Sequence, residues 1–131
     1  MDVVIPDSVT KIESSAFSYC TGLISITIPD SVTNIEACAF SECTGLTSIT
    51  IPDSVIGIGS EAFVNCIGLT EMIISDSVTI IGDYAFCGCS NLTSISFTGT
   101  KSQWDAISKG MDWNNNVPAT IVHCTDGDVI I

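Results

Sequence analysis

The sequence contains no arginine, three lysines and one histidine against 15 acidic residues, a net charge of −12 over 131 residues. Such a chain neutralises neither a run of phosphates nor an anionic bilayer, which excludes nucleic acid and acidic lipid as partners. The single histidine, His123, gives little scope for nucleophilic catalysis. Its neighbour Cys124 would point to the opposite face of a strand, badly placed for proton transfer. No apolar run approaches the ~20 residues of a membrane helix, so membrane insertion is not expected. The opening "MDVVIPDSV" lacks the basic and apolar stretches of a secretion signal. What the chain does have is apolar material: 46% of its residues are hydrophobic, enough to cover the core of one domain.

That apolar material is periodic. "IPDSV" begins at Ile5, Ile28 and Ile51 and returns as "ISDSV" at Ile74, giving four 23-residue units, 5–27, 28–50, 51–73 and 74–96. Their apolar positions coincide: Val9, Val32, Val55 and Val78; Phe17, Phe40, Phe63 and Phe86; Leu23, Leu46, Leu69 and Leu92. Cys20, Cys43, Cys66 and Cys89 keep the same spacing. A unit this small cannot bury its own apolar face, so each must stack on its neighbours and share a core. The recurring segment is a building unit, and the fold is a solenoid.

Within a unit, "GLTSITI" alternates Ile49 and Ile51 inward with Ser48 and Thr50 outward, the period of a strand with one solvated face. Stacked units then form a parallel sheet, and Pro6, Pro29 and Pro52 end the strands because proline has no amide proton for the ladder. The adjacent inward pair Ala-Phe, with cysteine three residues on, predicts a short helical or 3₁₀ segment. Gly22, Gly45, Gly68 and Asn91 share one column, and asparagine tolerates positive φ, which predicts a left-handed turn there.

The unit "LxSITIPDSVTxIExxAFxxCTGL" resembles the BspA-like bacterial leucine-rich repeat family in its length and its order of Pro, Ala-Phe, Cys and Leu. The tail, through "GTKSQWDAI", the Trp113 region and "VHCTDG", resembles the segment that often follows such repeats. The resemblance implies an α/β leucine-rich-repeat solenoid, mainly β, from a surface or secreted protein of host-associated bacteria or mucosal parasites. It also implies a class linked to adhesion, and no reaction.

The ends differ from the middle. In the repeat register 1–4 form a truncated first coil, so the chain reads as a fragment of a longer array, and an uncapped coil of this kind invites end-to-end homo-association. Residues 1–96 are then the solenoid and 97–131 a capping segment. Thr100 with Gln103 marks a capping-box helix start; Trp104, Ile107 and Met111 lie on one face of a helix ending near Gly110. "TIVHC" and "DVII" read as a hairpin with a type I′ turn around Asp126-Gly127. Trp104 and Trp113 read as a lid on the last coil rather than a sugar-stacking pair.

Candidate chemistry is sparse. Glu13 and Glu36 would stand one coil apart, but Gly59 and Gly82 follow them on a convex turn, which reads as a solvated face. The cysteine column reads as reduced and buried, with cysteine acting as a small apolar residue. Asp7, Asp30, Asp53 and Asp76 read as turn formers, since the loop of a calcium cage is absent. No cofactor and no metal is expected. The informative positions are the outward strand residues, Ser25, Ser48, Glu71 and Ser94 in one column and Thr27, Thr50, Ile73 and Ser96 in the next. This hydroxyl-rich, nearly uncharged face reads either as a ligand surface or as a face kept soluble by residues that suit strands. The expectation is a non-enzymatic module recognising host or neighbouring-cell surface proteins or glycans. A structural spacer, or an accessory domain of a secreted hydrolase, are the alternatives.

Overall fold

The computed structural model describes residues 2–131; Met1, the start of the coil predicted over 1–4, lies outside them. In chain order the strands are β1 (Asp2–Val4), β2 (Lys11–Ile12), β3 (Ser25–Thr27), β4 (Asn34–Ile35), β5 (Ser48–Thr50), β6 (Gly57–Ile58), β7 (Glu71–Ile74), β8 (Ile80–Ile81) and β9 (Ser94–Phe97). Helix α1 (Lys101–Ala106) follows, then β10 (Ser108–Lys109), β11 (Ile121–Cys124) and β12 (Gly127–Ile130). Each coil contributes one longer strand to one side and a two-residue strand to the other, and the short strands stack in the order β10-β8-β6-β4-β2. The pairing is parallel at the repeat distance, Asn34 on Gly57 and Gly57 on Ile80, as stacked identical units require. The molecule is a solenoid of parallel strands with little helix, closed at its C-terminal end by α1 and the β11–β12 hairpin.

The long strands do not form one continuous ladder. β1 pairs with β3, and β5-β7-β9-β11-β12 form a separate five-stranded sheet. β3 and β5 adjoin without a ladder between them; the bond at that step runs from the Thr47 N–H to the Ile24 carbonyl at 3.3 Å.

The core is built from columns. Leu46, Leu69 and Leu92, Phe40, Phe63 and Phe86, and Val55 with Val32 are fully buried. The phenylalanine rings stack at centroid distances of 5.3, 5.2 and 5.6 Å from Phe17 to Phe86, and Trp113 meets Phe86 edge-on at 6.1 Å. Burying each such side chain contributes about 1.5–3 kcal/mol. In the first coil Phe17, Cys20 and Val9 are only half-buried, since no described coil lies beyond them.

Three local expectations are corrected. The Ala-Phe segment is neither helical nor 3₁₀ but a chain of turns in which amides alternate their partners. Ala16, Ser18 and Cys20 bond the carbonyl three residues back, while Ser15, Phe17 and Tyr19 donate to Ala37, Ala39 and Ser41 of the next coil. Two left-handed residues per coil make this alternation possible, Ser15, Cys38, Glu61 and Tyr84 in one column and Tyr19, Glu42 and Asn65 in the other.

The glycine column is therefore not the left-handed one. A Cβ on Gly45 would stand 2.5 Å from the Thr21 carbonyl oxygen and one on Gly68 2.4 Å from that of Thr44, so these glycines permit close approach of successive coils. In the last coil Asn91 takes this position, and its side-chain amide donates to the Ile67 carbonyl at 2.7 Å. Gly59 and Gly82 are required in the same way, a Cβ there meeting the backbone of Glu36–Ala37 and Gly59–Ser60.

The third correction concerns the cap. Thr100 does form a capping box with Gln103, but α1 ends at Ala106 with Ile107 extended, and Ser108–Lys109 pair with Ile80–Ile81. The helix is short because its next residues serve the sheet. Met111 is exposed rather than on the buried face with Trp104 and Ile107. The hairpin forms, but its loop is Thr125-Asp126 with neither residue at positive φ, so the turn is not type I′; Gly127 alone is left-handed, at φ 131°.

Candidate functional site

Strand alternation and coil register place the outward residues of β3, β5, β7 and β9 on one face. Ser48 lies beside Glu71 and Glu71 beside Ser94; Thr50 lies beside Ile73 and Ile73 beside Ser96. In the separate pair, Val4 lies beside Thr27. Ser25, Thr27, Thr50, Glu71 and Ile73 are exposed, and Ser48, Ser94 and Ser96 half-buried. The floor beneath them, Ile49, Met72 and Ile95, is buried, so the side chains stand on a rigid support. Beyond Ser96 the second column continues to His123 on β11 and Asp128 on β12, whose Oδ1 lies 2.9 Å from the imidazole Nδ1.

Two grooves lie along this face toward its N-terminal end. One, of about 530 Å³, is lined by residues of the paired strands β1 and β3, Ser25 and Thr27 among them, and by Asp7 and Asp30. The other, of about 350 Å³, lies over the unpaired step between β3 and β5 and is lined by Ser25, Thr27, Ser48 and Thr50.

The remaining candidates have structural tasks. Trp104 is 1% and Trp113 9% exposed, with centroids 5.7 Å apart edge to face, so they seal the last coil and offer no ring to a sugar. Lys109 helps seal it: its ammonium donates to the Trp104 and Ile107 carbonyls at 2.8 and 3.2 Å and lies 4.9 Å from the Trp104 ring. All seven cysteines are free. The column is not purely apolar, because Cys43, Cys66 and Cys89 donate their thiols to the Phe17, Phe40 and Phe63 carbonyls at 3.0–3.1 Å. Burial pushes the Cys43 thiol up to about 11, and the contact with Cys89 together with burial raises that of Cys66. Thiols held protonated in this way are poor nucleophiles and poor metal ligands. Among the described residues, no three His, Cys, Asp or Glu side chains converge as metal ligands. Asp53 accepts a bond from the Ser75 hydroxyl at 2.7 Å, tying adjacent turns together.

The BspA type leucine rich repeat region matches residues 1–109 in six copies. The chain belongs to the BspA-type leucine-rich repeat family. It is similar to a leucine rich cell surface protein from Faecalibacterium prausnitzii A2-165, with 38% identity and a TM-score of 0.79 over 82% of this chain and 28% of that one. It is also similar to the T. pallidum Leucine Rich Repeat protein, at 25% identity and a TM-score of 0.81, over 92% of this chain and 57% of that one. The pneumococcal vaccine antigen PcpA shares the fold at 20% identity and a TM-score of 0.77, over 94% of this chain and 30% of that one. The chain thus spans less than two thirds of the length of each. No curated protein matches it.

Sequence reasoning about this BspA-type chain missed the extension of the outer face into the hairpin. His123 was weighed only against Cys124, whereas its partners across the strands are Ser96 and Asp128. Alternation within "TIVHC" was the available signal, since it turns His123 outward with Val122 fully buried. In the third repeat isoleucine stands at 56, 67 and 73, where the other repeats of this BspA-type solenoid have threonine or serine. Ile73 stands on β7, Ile56 just before β6 and Ile67 in a turn, so they form no single patch.

Proposed function

We propose that this chain is a non-enzymatic recognition module of a bacterial surface or secreted protein. It binds host or neighbouring-cell proteins or glycans through the outer face of β3, β5, β7 and β9. The observation that carries this reading is the pair of outward columns, Ser25, Ser48, Glu71 and Ser94 beside Thr27, Thr50, Ile73 and Ser96. They form a hydrogen-bonding surface rich in small residues, on a floor that is buried beneath β5, β7 and β9 and half-buried beneath β3, adjoined by two grooves. Rigid side chains of this kind lose little entropy on binding, which favours recognition over a face that must first be ordered. The surface setting draws support from the family and from the cell surface protein of Faecalibacterium prausnitzii that the chain resembles.

The test is binding of the purified chain, beside a Ser48→Lys/Thr50→Lys variant, to immobilised extracellular-matrix proteins and mucin glycans. The parent is expected to bind at least one member and the variant to lose it, with unchanged thermal stability. Equal binding by both proteins would move recognition off this face, and no binding by either would favour a spacer.

A further inference from the structure

The second outward column of the long-strand face ends on a group that changes charge near neutral pH. Strand register carries the column from Ser96 on β9 to His123 on β11 and Asp128 on β12, and the last two side chains are about half exposed, so both open onto the face. The imidazole Nδ1 lies 2.9 Å from the Asp128 Oδ1. A carboxylate can only accept, so in the neutral ring the proton sits on Nδ1 and Nε2 keeps the lone pair. Among the described residues Nε2 has no hydrogen-bond partner. Histidine alone among side-chain types has its unperturbed charge change between about pH 5 and 8, and the sequence holds one. Its surroundings are otherwise fixed: β9 brings the uncharged Ser96, β12 the Asp128 carboxylate, and Val122 beside it is fully buried. Asp126, Asp105 and Lys101 gather around the next residue, Cys124, whose thiol is pushed up by burial.

Resting on the recognition role given above for this face, we infer that His123 makes binding there sensitive to pH, with the partner held near neutrality and released on acidification. Near neutrality Nε2 is an acceptor whose direction Asp128 fixes, so a partner group seated against it donates. Protonation puts a hydrogen on Nε2, and two donors then face one another. Asp128 keeps its bond to Nδ1 in both states, so the ring stays in place and only the outward nitrogen changes character. The charge acts in the same direction. A chain carrying −12 disfavours acidic partners, so the new cation meets no carboxylate that would offset the lost bond. Because the complex takes only the neutral ring, affinity falls about tenfold for each pH unit below the imidazole range.

The tautomer is read first, by long-range ¹H–¹⁵N NMR of the labelled chain at about pH 7.5. The Nδ1–H form should dominate in the parent, and Asp128→Ala should lose that preference. Binding to the panel of matrix proteins and mucin glycans is then measured at about pH 7.5 and about pH 5.5. The parent should bind about tenfold more weakly at the lower pH, and His123→Gln, whose side-chain carbonyl accepts at either pH, should bind equally at both. Thermal melts at both pH values confirm that each protein is folded. A parent that binds equally at both, a His123→Gln variant that weakens as much as the parent, or a dominant Nε2–H ring would overturn the inference. If Ser48→Lys/Thr50→Lys abolishes binding while pH leaves it unchanged, the outer face remains a recognition surface without this switch; absence of binding to the whole panel at both pH values overturns the two together.

Discussion

At the scale of single residues, the repeat is a set of backbone demands that recur every 23 positions. Gly45 illustrates how the sequence can indicate a constraint while its cause stays hidden. A column of glycine and asparagine suggested positive φ, yet the cause is the neighbouring coil's carbonyl, 2.5 Å from where a Cβ would sit. Gly45→Val should therefore lower the melting temperature sharply, by circular dichroism, whereas Gly22→Val, with no heavy atom within 4 Å of its Cβ, should be mild. Equal effects would point back to conformation as the cause. The residues that are left-handed, such as Glu42 and Asn65, were illegible because their column mixes tyrosine, glutamate, asparagine and glycine. What holds them is the amide that each sends to the next coil, a long-range bond that no local pattern announces. The cysteine column makes a prediction about pH. Cys43 has a folded pKa raised from 9.0 to about 11, so the unfolded chain loses its proton first as pH rises. Its contribution is fully present below pH 9.0 and is lost between there and about 11, which urea unfolding of the parent and Cys43→Ala at a series of pH values would reveal as a steeper decline in the parent.

At the scale of elements, strand positions were the most legible feature, because alternation with one buried and one solvated face leaves a plain signature over β5, β7 and β9. The short strands of the second stack were not, since two residues such as Gly57–Ile58 carry no period. α1 shows both cases. Its start is written in the Thr100–Gln103 box, and its end is decided by Ser108–Lys109 pairing with β8, a tertiary claim on residues that would otherwise continue the helix. Thr100→Ala removes the bond from the Gln103 N–H and should cost about 1 kcal/mol in chemical denaturation. Its effect should reach the solvent exposure of Trp104, read by fluorescence, because α1 holds that ring against Phe97 at 5.3 Å.

At the scale of the whole molecule, identical coils yield two unlike sides. The short strands run into close backbone approaches at Gly59 and Gly82, while the long strands β5, β7 and β9 present mostly small polar side chains over a buried floor. The two outward columns themselves were readable from repeat register alone. Their extension to His123 and Asp128, the break between β3 and β5, and the grooves beside it depend on how coils sit against one another, which register does not contain. The claim that this side is the recognition surface is tested most directly by NMR chemical-shift mapping of the labelled chain with a partner found on the matrix panel. The account predicts shifts concentrated at residues 25–27, 48–50, 71–73 and 94–96. Shifts confined to residues of the opposite stack, such as 34–35, 57–58 and 80–81, would contradict it.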